Sequence, residues 1–404
     1  MIKISADYIF PIASSPIKNG ILIFENDGKI NDVLQPSEIN SKDDIKKYKG
    51  VICPGFINTH SHIELSYLKN QIKKNQGLGD FVVEVQKSKK KFDKEFIVEA
   101  IKKAEEEMLS SGIVAVGDIS NTSLSFSMKE KSKLNFYTFL EIYGSGPNIA
   151  EEKFQKSLDL YSQIISQKNN NIASIVPHAP YSVSDILFKK IKEFSIQNNA
   201  LISIHHQESS DENSFFKNKT GKIVEILKKF GSSLSHFHAT GLSPLQSITS
   251  FLPKQNKLLL VHNTFSKPED IDFAIENFKN LYWCFCPNAN LFIENRLPDI
   301  PEFINKKAKI TIGTDSYASN ETLSVLEEIK TISKHYPEIK LQELLLWATL
   351  NGAEFLGFDE KFGSFEKKKK PGINLIENID LKNMRIVKES RIRVIKGWRN
   401  GVLE

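Results

Sequence analysis

Two histidines stand two residues apart in the stretch GFINTHSHIELS, at His60 and His62. Side chains two apart in a β-strand point to the same side, so both imidazoles can bind one metal ion. Such a pair alone is equally compatible with a buried histidine that hydrogen-bonds a core carbonyl. His205, in SIHHQE, and Asp315, in TIGTDSYASN, complete a set of three histidines and one carboxylate. This donor set predicts one Zn²⁺ or Fe²⁺ per chain, with a coordination position left for water.

His206 competes with His205 for the metal, because alternation along a strand sends only one of two neighbours inward. Glu208 decides the choice in favour of His205. The spacing His205-x-x-Glu208 resembles a known arrangement in which the histidine binds metal and the glutamate carries a proton.

The elements that position these residues alternate between short apolar runs and longer amphipathic runs, from Gly55 to about Gly352. Such alternation is typical of an α/β fold with a parallel sheet. Its predicted outer helices are Phe92–Ser111, Ser184–Asn198, Lys217–Phe230 and Thr322–His335. Its predicted strands are Gly55–His60, Ile113–Asp118, Phe136–Ile142, Ala173–His178, Leu201–His205, Leu258–His262, Leu281–Cys286 and Lys309–Asp315. Eight strands are the number that closes a (β/α)8 barrel of the TIM type.

Reactive residues recur at or just after the C-terminal ends of these predicted strands. They are His60, Asp118, Glu141, His178, His205, His262 and Asp315. In a barrel these strand ends converge on the face that carries the active site. The sequence therefore predicts that all seven lie around one site.

The flanks carry strand-like runs without long helical patterns between them. These runs are Ile21–Phe24, Lys29–Val33, Ile373–Ile376, Met384–Val387 and Arg391–Val394. We predict that residues 1–53 and 363–404 form one small β-sandwich domain from both chain ends. The barrel, residues 54–362, would be inserted between them, and the loop KKKKPGIN, Lys367–Asn374, would be the connection.

Composition narrows the functional class. The 404 residues are 40% hydrophobic, and 54 Lys and Arg against 49 Asp and Glu give a formal charge of +5. The dense basic run Lys367–Lys370 fits a solvated loop better than a nucleic-acid contact, so we predict no nucleic-acid partner. Three cysteines without a CxxC pair and a start without a signal sequence favour the cytoplasm. No apolar run approaches the roughly 18 residues that span a bilayer, so no membrane role is expected.

In these residues and their order, the chain resembles the amidohydrolase superfamily, and within it the deaminases of S-adenosylhomocysteine, methylthioadenosine and related nucleosides. The resemblance covers nearly the whole chain, and its motifs in order are PGFINTHSH, VPHAPYSVS, IHHQES, LVHNTF, CPNAN and GTDSYASN. It implies that His60, His62, His205 and Asp315 are the metal ligands. It also implies proton-handling roles for Glu208 and His262, and contact between His178 and the nucleoside.

The chemistry implied by this resemblance is hydrolytic removal of the 6-amino group of an adenine nucleoside. The metal lowers the pKa of a bound water towards about 7. Asp315 accepts the proton of that water, His262 orients the water, and Glu208 in its protonated form supplies a proton to the ring nitrogen. The PCxxC motif, which the cytidine-deaminase layout needs beside its HxE motif, is absent from the sequence.

Glu64, in HSHIELS, resembles the HxHLELS variant of a sister group that includes aminodeoxyfutalosine deaminases of menaquinone biosynthesis. The stretch GLGDFVVEVQKS, Gly77–Ser88, is similar to the same group. The substrate of that group is an adenosine with a 3-carboxybenzoyl tail. Glu64 fits equally well as an acceptor for a ligand histidine and as a direct substrate contact.

The chain also departs from its relatives. The arginines that bind amino-acid tails after strand three or four are missing from FLEIYGSGPN, and Arg296 is the one barrel arginine available for a carboxylate. Arg296 fits a surface ion pair equally well. Phe81, Tyr143 and Phe292 are candidates for a slot that holds an aromatic tail.

Several rival interpretations remain at this stage. A binuclear cyclic-amide hydrolase would need a modified lysine at the end of strand four, where His178 stands instead. A sugar-deacetylase-like site would use Glu141 as a ligand. S-adenosylhomocysteine or methylthioadenosine deamination is the alternative activity, and a catalytically inactive assembly protein is the alternative from another class. The native metal, the preferred 5′ substituent and formation of a homodimer are left open.

Overall fold

The structure is a computed structural model that describes residues 1–38, 44–168 and 171–396. Residues 39–43 of the predicted segment 1–53 and residues 397–404 of the predicted segment 363–404 therefore lie outside the described part. The strands in chain order are β1 (Ile2–Ser5), β2 (Tyr8–Ile9), β3 (Ile17–Lys18), β4 (Ile21–Phe24), β5 (Ile30–Leu34), β6 (Lys46–Lys47), β7 (Val51–Pro54), β8 (Phe56–Ser61), β9 (Ile113–Ser120), β10 (Asn135–Ile142), β11 (Ile172–Pro177), β12 (Ile202–His206), β13 (Leu258–His262), β14 (Leu281–Phe285), β15 (Ile310–Ile312), β16 (Ile373–Glu377) and β17 (Arg391–Lys396).

The helices account for most of the remaining chain. They are α1 (Gly77–Ser88), α2 (Lys94–Ser110), α3 (Phe126–Lys131), α4 (Ala150–Ile165), α5 (Asp185–Gln197), α6 (Ser210–Asn218), α7 (Lys222–Lys229), α8 (Pro244–Ile248), α9 (Pro268–Asn277), α10 (Pro287–Glu294), α11 (Ile300–Asn305), α12 (Val325–His335), α13 (Leu341–Ala348) and α14 (Leu350–Leu356). In the described part of the chain, no helix combines the length and apolar character needed to cross a bilayer.

All eight strands predicted for the central region are present, as β8 to β15. They form two four-stranded parallel sheets, with the orders β11–β10–β9–β8 and β12–β13–β14–β15. Their side chains are apolar and buried along nearly their whole length, as expected when both faces of a parallel sheet are covered. The predicted α/β class is therefore correct.

The two parallel sheets meet at both of their edges. Beside β11, the amide of His205 donates to the carbonyl oxygen of His178 at 2.9 Å. Beside β8, the amides of Thr314 and Asp315 donate to the carbonyl oxygen of His60 at 3.0 and 3.1 Å. These contacts bring the C-terminal ends of β8, β11, β12 and β15 to one place.

One predicted helix is wrong in extent. The run Lys217–Phe230 is divided between the end of α6 and α7, because Lys219 and Gly221 adopt positive φ angles of 54° and 94°. Lys219 ends α6 in the left-handed conformation, and Gly221 supplies the turn into α7 with little steric cost.

Strands from both chain ends share one sheet, whose order is β17–β16–β7–β2–β3. Here β7 pairs antiparallel with β16, which joins residues near position 52 to residues near position 375. A second sheet has the order β5–β4–β1–β6. The two sheets share an apolar cluster that includes Ile4, Leu22, Phe24, Ile52, Ile373 and Leu375.

The terminal region corrects two predictions. Met384–Val387 is not a strand, because Asp380 and Arg385 close a turn there by exchanging backbone hydrogen bonds of 3.0 Å. The loop Lys367–Asn374 is also more than a connection. The backbone of Lys368 and Lys369 pairs with Ile30, and its last residues already belong to β16.

Candidate active site

Three histidine rings converge where β8 and β12 end. His62 Nε2 lies 3.1 Å from His60 Nε2 and 3.2 Å from His205 Nε2. All three residues are buried, so the cluster lies inside the protein. His206, the alternative ligand, points away from the cluster and pairs its Nδ1 with Asn263 Oδ1 at 3.0 Å.

The protonation states of this cluster suit a metal cation. His205 Nδ1 donates to the carbonyl oxygen of His178 at 2.8 Å, which leaves a lone pair on His205 Nε2. Burial, and then the neighbouring histidines, lower the pKa values of His60 and His62, so their rings are neutral. Neutral nitrogens at such short separations repel one another unless a shared cation or proton lies between them. The three residues therefore fit a divalent metal with nitrogen ligands.

Asp315 brings a carboxylate to the same point from the segment after β15. Its Oδ1 lies 3.5 Å from His62 Nε2 and 3.8 Å from His60 Nε2. Its Oδ2 accepts a short hydrogen bond from Ser319 Oγ. Asp315 has a φ of 55°, a conformation that costs free energy in a residue with a side chain. The surrounding contacts hold this carboxylate towards the histidines despite that cost.

Glu208 and His262 form a second pair beside the cluster. Glu208 Oε1 lies 3.6 Å from His262 Nε2, and both residues are buried. Burial raises the pKa of Glu208 to about 8, so its carboxyl group is held largely protonated near neutral pH. His262 Nδ1 is paired with Asn290 Oδ1 at 2.8 Å, which orients the ring.

These groups open into a cavity of about 380 Å³. His178 lines it at the end of β11, where its Nδ1 is paired with Ser182 Oγ at 2.8 Å. Burial lowers the pKa of His178 to about 4, so its ring is neutral. Helices α1 and α7 supply an apolar wall consisting of Phe81, Val82, Val85, Ile223, Ile226 and Leu227.

Glu64 is neither an acceptor for a ligand histidine nor a contact of the cavity, the two roles that the sequence predicted. Its Oε2 accepts hydrogen bonds from the amides of Asn121 and Thr122 at 3.1 and 3.0 Å, and from Thr122 Oγ1 at 2.9 Å. Its Oε1 accepts from Ser125 Oγ at 2.9 Å. Glu64 is not among the residues that line the cavity. The buried carboxylate therefore ties the turn after His62 to the loop after β9.

Two of the predicted tail residues lie elsewhere. Arg296 is exposed, stacks over the ring of Phe265 at 4.7 Å and does not line the cavity. Phe292 packs against an apolar cluster that includes Val85 and does not itself line the cavity. Phe81 and Tyr143 do line it. The cations on its wall are Lys89 and Lys153, which the sequence reasoning missed.

Glu141 could also be considered as a metal ligand, together with His178 and His205. His205 Nδ1, which lies 3.5 Å from Glu141 Oε1, already donates to the carbonyl oxygen of His178. Asp118 does not reach this point, since Lys129 Nζ pairs with it at 2.7 Å in the interior. The geometry therefore favours one metal, bound by the three-histidine cluster.

The structure adds supporting residues that the sequence reasoning did not assign. Asn290, Ser182 and Ser319 each hold a chemically active side chain and lie within the motifs CPNAN, VPHAPYSVS and GTDSYASN. Asn121 donates to Glu141 Oε2 at 3.1 Å. Three of these four supporting residues lie in the motifs, which is the one sequence signal for their roles. Their hydrogen-bond partners are identified only by proximity in the fold.

The sequence profile of the amidohydrolase family matches residues 51–403. The chain belongs to this family. The resemblance stated from the motifs is thus confirmed, and so is the expected class of enzyme, a hydrolase related to deaminases of adenine nucleosides.

Two relatives illustrate the range of named activities within this part of the amidohydrolase family. A 5-methylthioadenosine/S-adenosylhomocysteine deaminase of Thermodesulfovibrio yellowstonii is 27% identical over 391 residues, which cover 89% of this chain and 81% of that protein. An aminodeoxyfutalosine deaminase of Nitratiruptor sp. is 26% identical over 334 residues, which cover 78% of each. Sequence identity alone does not favour one activity over the other.

Solved structures of other proteins share the fold. The aminofutalosine deaminase of Helicobacter pylori, crystallised with methylthio-coformycin, superposes with a TM-score of 0.82 at 22% identity and covers 100% of both chains. An adenosine deaminase of Xanthomonas campestris with bound zinc gives a TM-score of 0.77 at 19% identity, covering 100% of this chain and 92% of that chain. At these identities the likeness establishes an amidohydrolase fold.

Proposed function

We propose that this amidohydrolase is a metal-dependent deaminase that hydrolyses the 6-amino group of an adenine nucleoside. One observation carries the proposal: a three-histidine cluster with a carboxylate adjoins a glutamate that is held protonated. Hydrolysis at C6 of adenine needs both an activated water and a proton donor for the ring nitrogen. The names of the relatives support the same reaction.

His60, His62, His205 and Asp315 would hold the metal in this proposal. When bound, a Zn²⁺ or Fe²⁺ ion would supply Lewis-acid activation of water, and the zinc in the Xanthomonas relative favours Zn²⁺. Asp315 would accept a proton through the carboxylate oxygen that faces the histidines.

Glu208 and His262 would handle protons on the other side of the reacting carbon. The raised pKa of Glu208, about 8, allows it to donate a proton to the ring nitrogen as C6 becomes tetrahedral. His262, held by Asn290, would orient the attacking water, and the amino group would leave as ammonia. His178, neutral and fixed by Ser182, would contact the base.

We propose 6-amino-6-deoxyfutalosine as the preferred substrate and futalosine as its product. The apolar wall from α1 and α7 suits an aromatic ring, and Lys153 Nζ lies 5.2 Å from the centre of the Tyr143 ring, where a tail carboxylate could bind. Lys153 replaces Arg296 as the candidate cation because it lines the cavity. The second candidate is deamination of methylthioadenosine or S-adenosylhomocysteine, which the name of the Thermodesulfovibrio relative favours.

We also propose the architecture that this function requires. The two parallel sheets, which meet at both edges, would form a closed (β/α)8 barrel over residues 54–362. The terminal sheets would form a β-sandwich from residues 1–53 and 363–404. With this substrate, we propose that the enzyme is cytoplasmic and acts in menaquinone biosynthesis.

A deamination assay tests the proposal. Protein loaded with Zn²⁺ or Fe²⁺ is incubated with aminodeoxyfutalosine, methylthioadenosine, S-adenosylhomocysteine or adenosine at matched concentrations, and loss of the adenine absorbance is followed. We expect the highest kcat/KM for aminodeoxyfutalosine, by about a hundredfold over adenosine, because ring burial and a charged contact both contribute.

The outcomes separate the claims. A higher kcat/KM for either sulfur nucleoside would contradict the substrate and leave the deaminase assignment standing. Failure of metal-loaded protein to deaminate any of the four nucleosides would contradict the deaminase assignment itself, and would return the inactive assembly protein as the better hypothesis.

A further inference from the structure

Glu141 presents an unpaired carboxylate oxygen in the inner part of the cavity. The residue is only 8% exposed, and it lines the cavity at the end of β10. Its Oε2 accepts from Asn121 Nδ2, but its Oε1 has no hydrogen-bond partner among the described residues. His205 Nδ1 is 3.5 Å from Oε1, yet it donates to the carbonyl oxygen of His178. An unpaired buried carboxylate oxygen is costly, so a donor from a bound molecule would relieve it.

Lys89 presents the opposite charge to the same cavity. It follows α1 directly, is half-buried and lines the cavity. Within the described ranges its ammonium forms no ion pair with any carboxylate, Glu141 included. Burial lowers the pKa of Lys89, while attraction to Glu141 and then Glu64 raises it. The cavity wall thus carries a donor and an acceptor that are near each other and do not touch.

The chemistry of this pair selects its ligand. A carboxylate alone would be attracted by Lys89 and repelled by Glu141, and an amine alone would meet the reverse. A neutral hydroxyl can donate to the carboxylate and accept from the ammonium. Two adjacent hydroxyls satisfy both groups without leaving a charge unpaired.

The depth of the pair agrees with the ribose of a nucleoside. Glu141 adjoins His205, whereas Tyr143, two residues further along the chain, is 42% exposed and carries Lys153 above its ring. Passing outward from the metal ligands, the wall therefore offers first Glu141 and then Tyr143. A nucleoside with its amino group at the metal presents base, ribose and 5′ substituent in the same order.

Resting on the proposed function, we infer that Glu141 and Lys89 bind the 2′- and 3′-hydroxyls of the substrate ribose and select ribonucleosides over deoxyribonucleosides. Asn121 contributes by fixing the carboxylate: its Nδ2 donates both to Glu141 Oε2 and to the Glu141 carbonyl oxygen at 3.1 Å. The amide of Asn121 is held in turn by Glu64. The acceptor is thus oriented before substrate arrives, which lowers the entropic cost of binding.

The test uses adenosine, 2′-deoxyadenosine and 3′-deoxyadenosine, which differ only in these hydroxyls. We expect the metal-loaded enzyme to favour adenosine over each deoxy form by about 10- to 100-fold in kcat/KM, because a site built around a hydroxyl rejects an analogue without it. Glu141→Gln and Lys89→Met should each lower kcat/KM for adenosine by about tenfold or more. For each variant, kcat/KM should change little for the deoxy form that lacks the hydroxyl bound by the substituted residue.

Lys87→Met is the matched control for Lys89→Met, since Lys87 is exposed near the end of α1, two residues before Lys89, and does not line the cavity. It should leave all three rates unchanged. Metal content and thermal unfolding of each variant report whether a loss of activity reflects a loss of folding.

Calorimetric titration in a Glu208→Gln background measures binding without turnover. The same hydroxyl dependence is expected in the dissociation constants, and it should shrink when Glu141→Gln is added. If that dependence is seen while the wild-type enzyme deaminates no nucleoside, the proposed function fails and the ribose site stands. If adenosine is deaminated with no preference for either hydroxyl, the ribose site fails and the proposed function stands.

Two further results would overturn the inference. One is an equal loss of kcat/KM for adenosine and both deoxy forms in Glu141→Gln and Lys89→Met. The other is a loss confined to S-adenosylhomocysteine, which would mean that the pair binds an amino-acid tail through its ammonium and carboxylate groups.

Discussion

The inner and outer ends of the cavity are built in different ways. At the inner end, several reactive side chains are each held by a second group, as Asn290 holds His262, Ser319 holds Asp315 and Ser182 holds His178. At the outer end, apolar side chains of α1 and α7 form the wall. Lys153, which lies there over the Tyr143 ring, makes no ion pair with any carboxylate in the described residues.

This difference follows from what each end must do. Proton transfer and metal binding depend on distance and angle, so their side chains need fixed orientations. Burial of an apolar tail depends mainly on area and tolerates many residue combinations. Substitutions of the metal-binding and proton-handling residues at the inner end should therefore affect every substrate, and substitutions at the outer end should affect only some.

The largest effect is expected at the histidine cluster. His60→Ala or Asp315→Ala should remove bound metal and activity together, because each takes away one of four proposed ligands. Metal analysis of the purified variants checks this, with the exposed His236→Ala as a control that should keep both. Full metal occupancy in both ligand variants would contradict the assignment.

Glu208→Gln should lower kcat by about 100-fold or more while metal content stays at the wild-type level. The amide keeps the shape of the side chain but cannot pass a proton to the ring. Loss of metal without a matching loss of rate would mean that Glu208 is a ligand and not a proton carrier.

Asn290→Leu should lower kcat/KM by about tenfold, since the ring of His262 loses the acceptor that orients it. Asn290→Asp retains an acceptor of similar shape and should lose less. Comparable rates for the leucine variant and wild type, at equal thermal stability, would show that the orientation of His262 does not limit the reaction.

Lys153→Met tests the outer end. It should raise KM for aminodeoxyfutalosine by about tenfold and leave adenosine unaffected, because adenosine lacks a tail carboxylate. An equal change for both nucleosides would contradict a role limited to the tail.

The smallest effect is expected for Arg296→Ala, a substitution of the arginine that the sequence offered as one candidate for the same carboxylate. Its guanidinium stacks on Phe265 outside the cavity, so kcat/KM should stay within about twofold of wild type for each nucleoside. A tenfold loss for the carboxylate substrate alone would restore Arg296 to the tail site.

The inner end was largely predictable from the sequence. HxH, His205-x-x-Glu208 and Asp315 each follow a short apolar run, and parallel strands bring such positions together whatever the helices between them do. The choice of His205 over His206 also agrees with the structure, where His206 turns to Asn263. The placement of these residues needed only strand alternation and the order of strand and helix, whereas the choice of His205 also used the resemblance of His205-x-x-Glu208 to a known arrangement.

The outer end was not predictable in the same way. Lys153 and α7 reach the cavity through the packing of helices and long loops, as Lys89 does further in, and residue type alone does not specify that packing. Arg296 was chosen because its chemistry is rare in this chain, and rarity says nothing about position. The role of Glu64 was not predicted for a related reason. The residues that it binds, Asn121 to Ser125, are 57 or more positions away in sequence, and only the folded loop brings them within hydrogen-bonding distance.

The pairing of β7 with β16 bears on how the chain folds during synthesis. These strands are hydrogen-bonded neighbours, yet residues 55–372 lie between them. At about 5–20 residues per second, a ribosome needs roughly 15–60 seconds to supply that interval. Until then β7 has no β16 to pair with, so the terminal sheet that contains both strands is completed late. Contacts this distant in sequence also slow folding through the entropy of closing the loop between them.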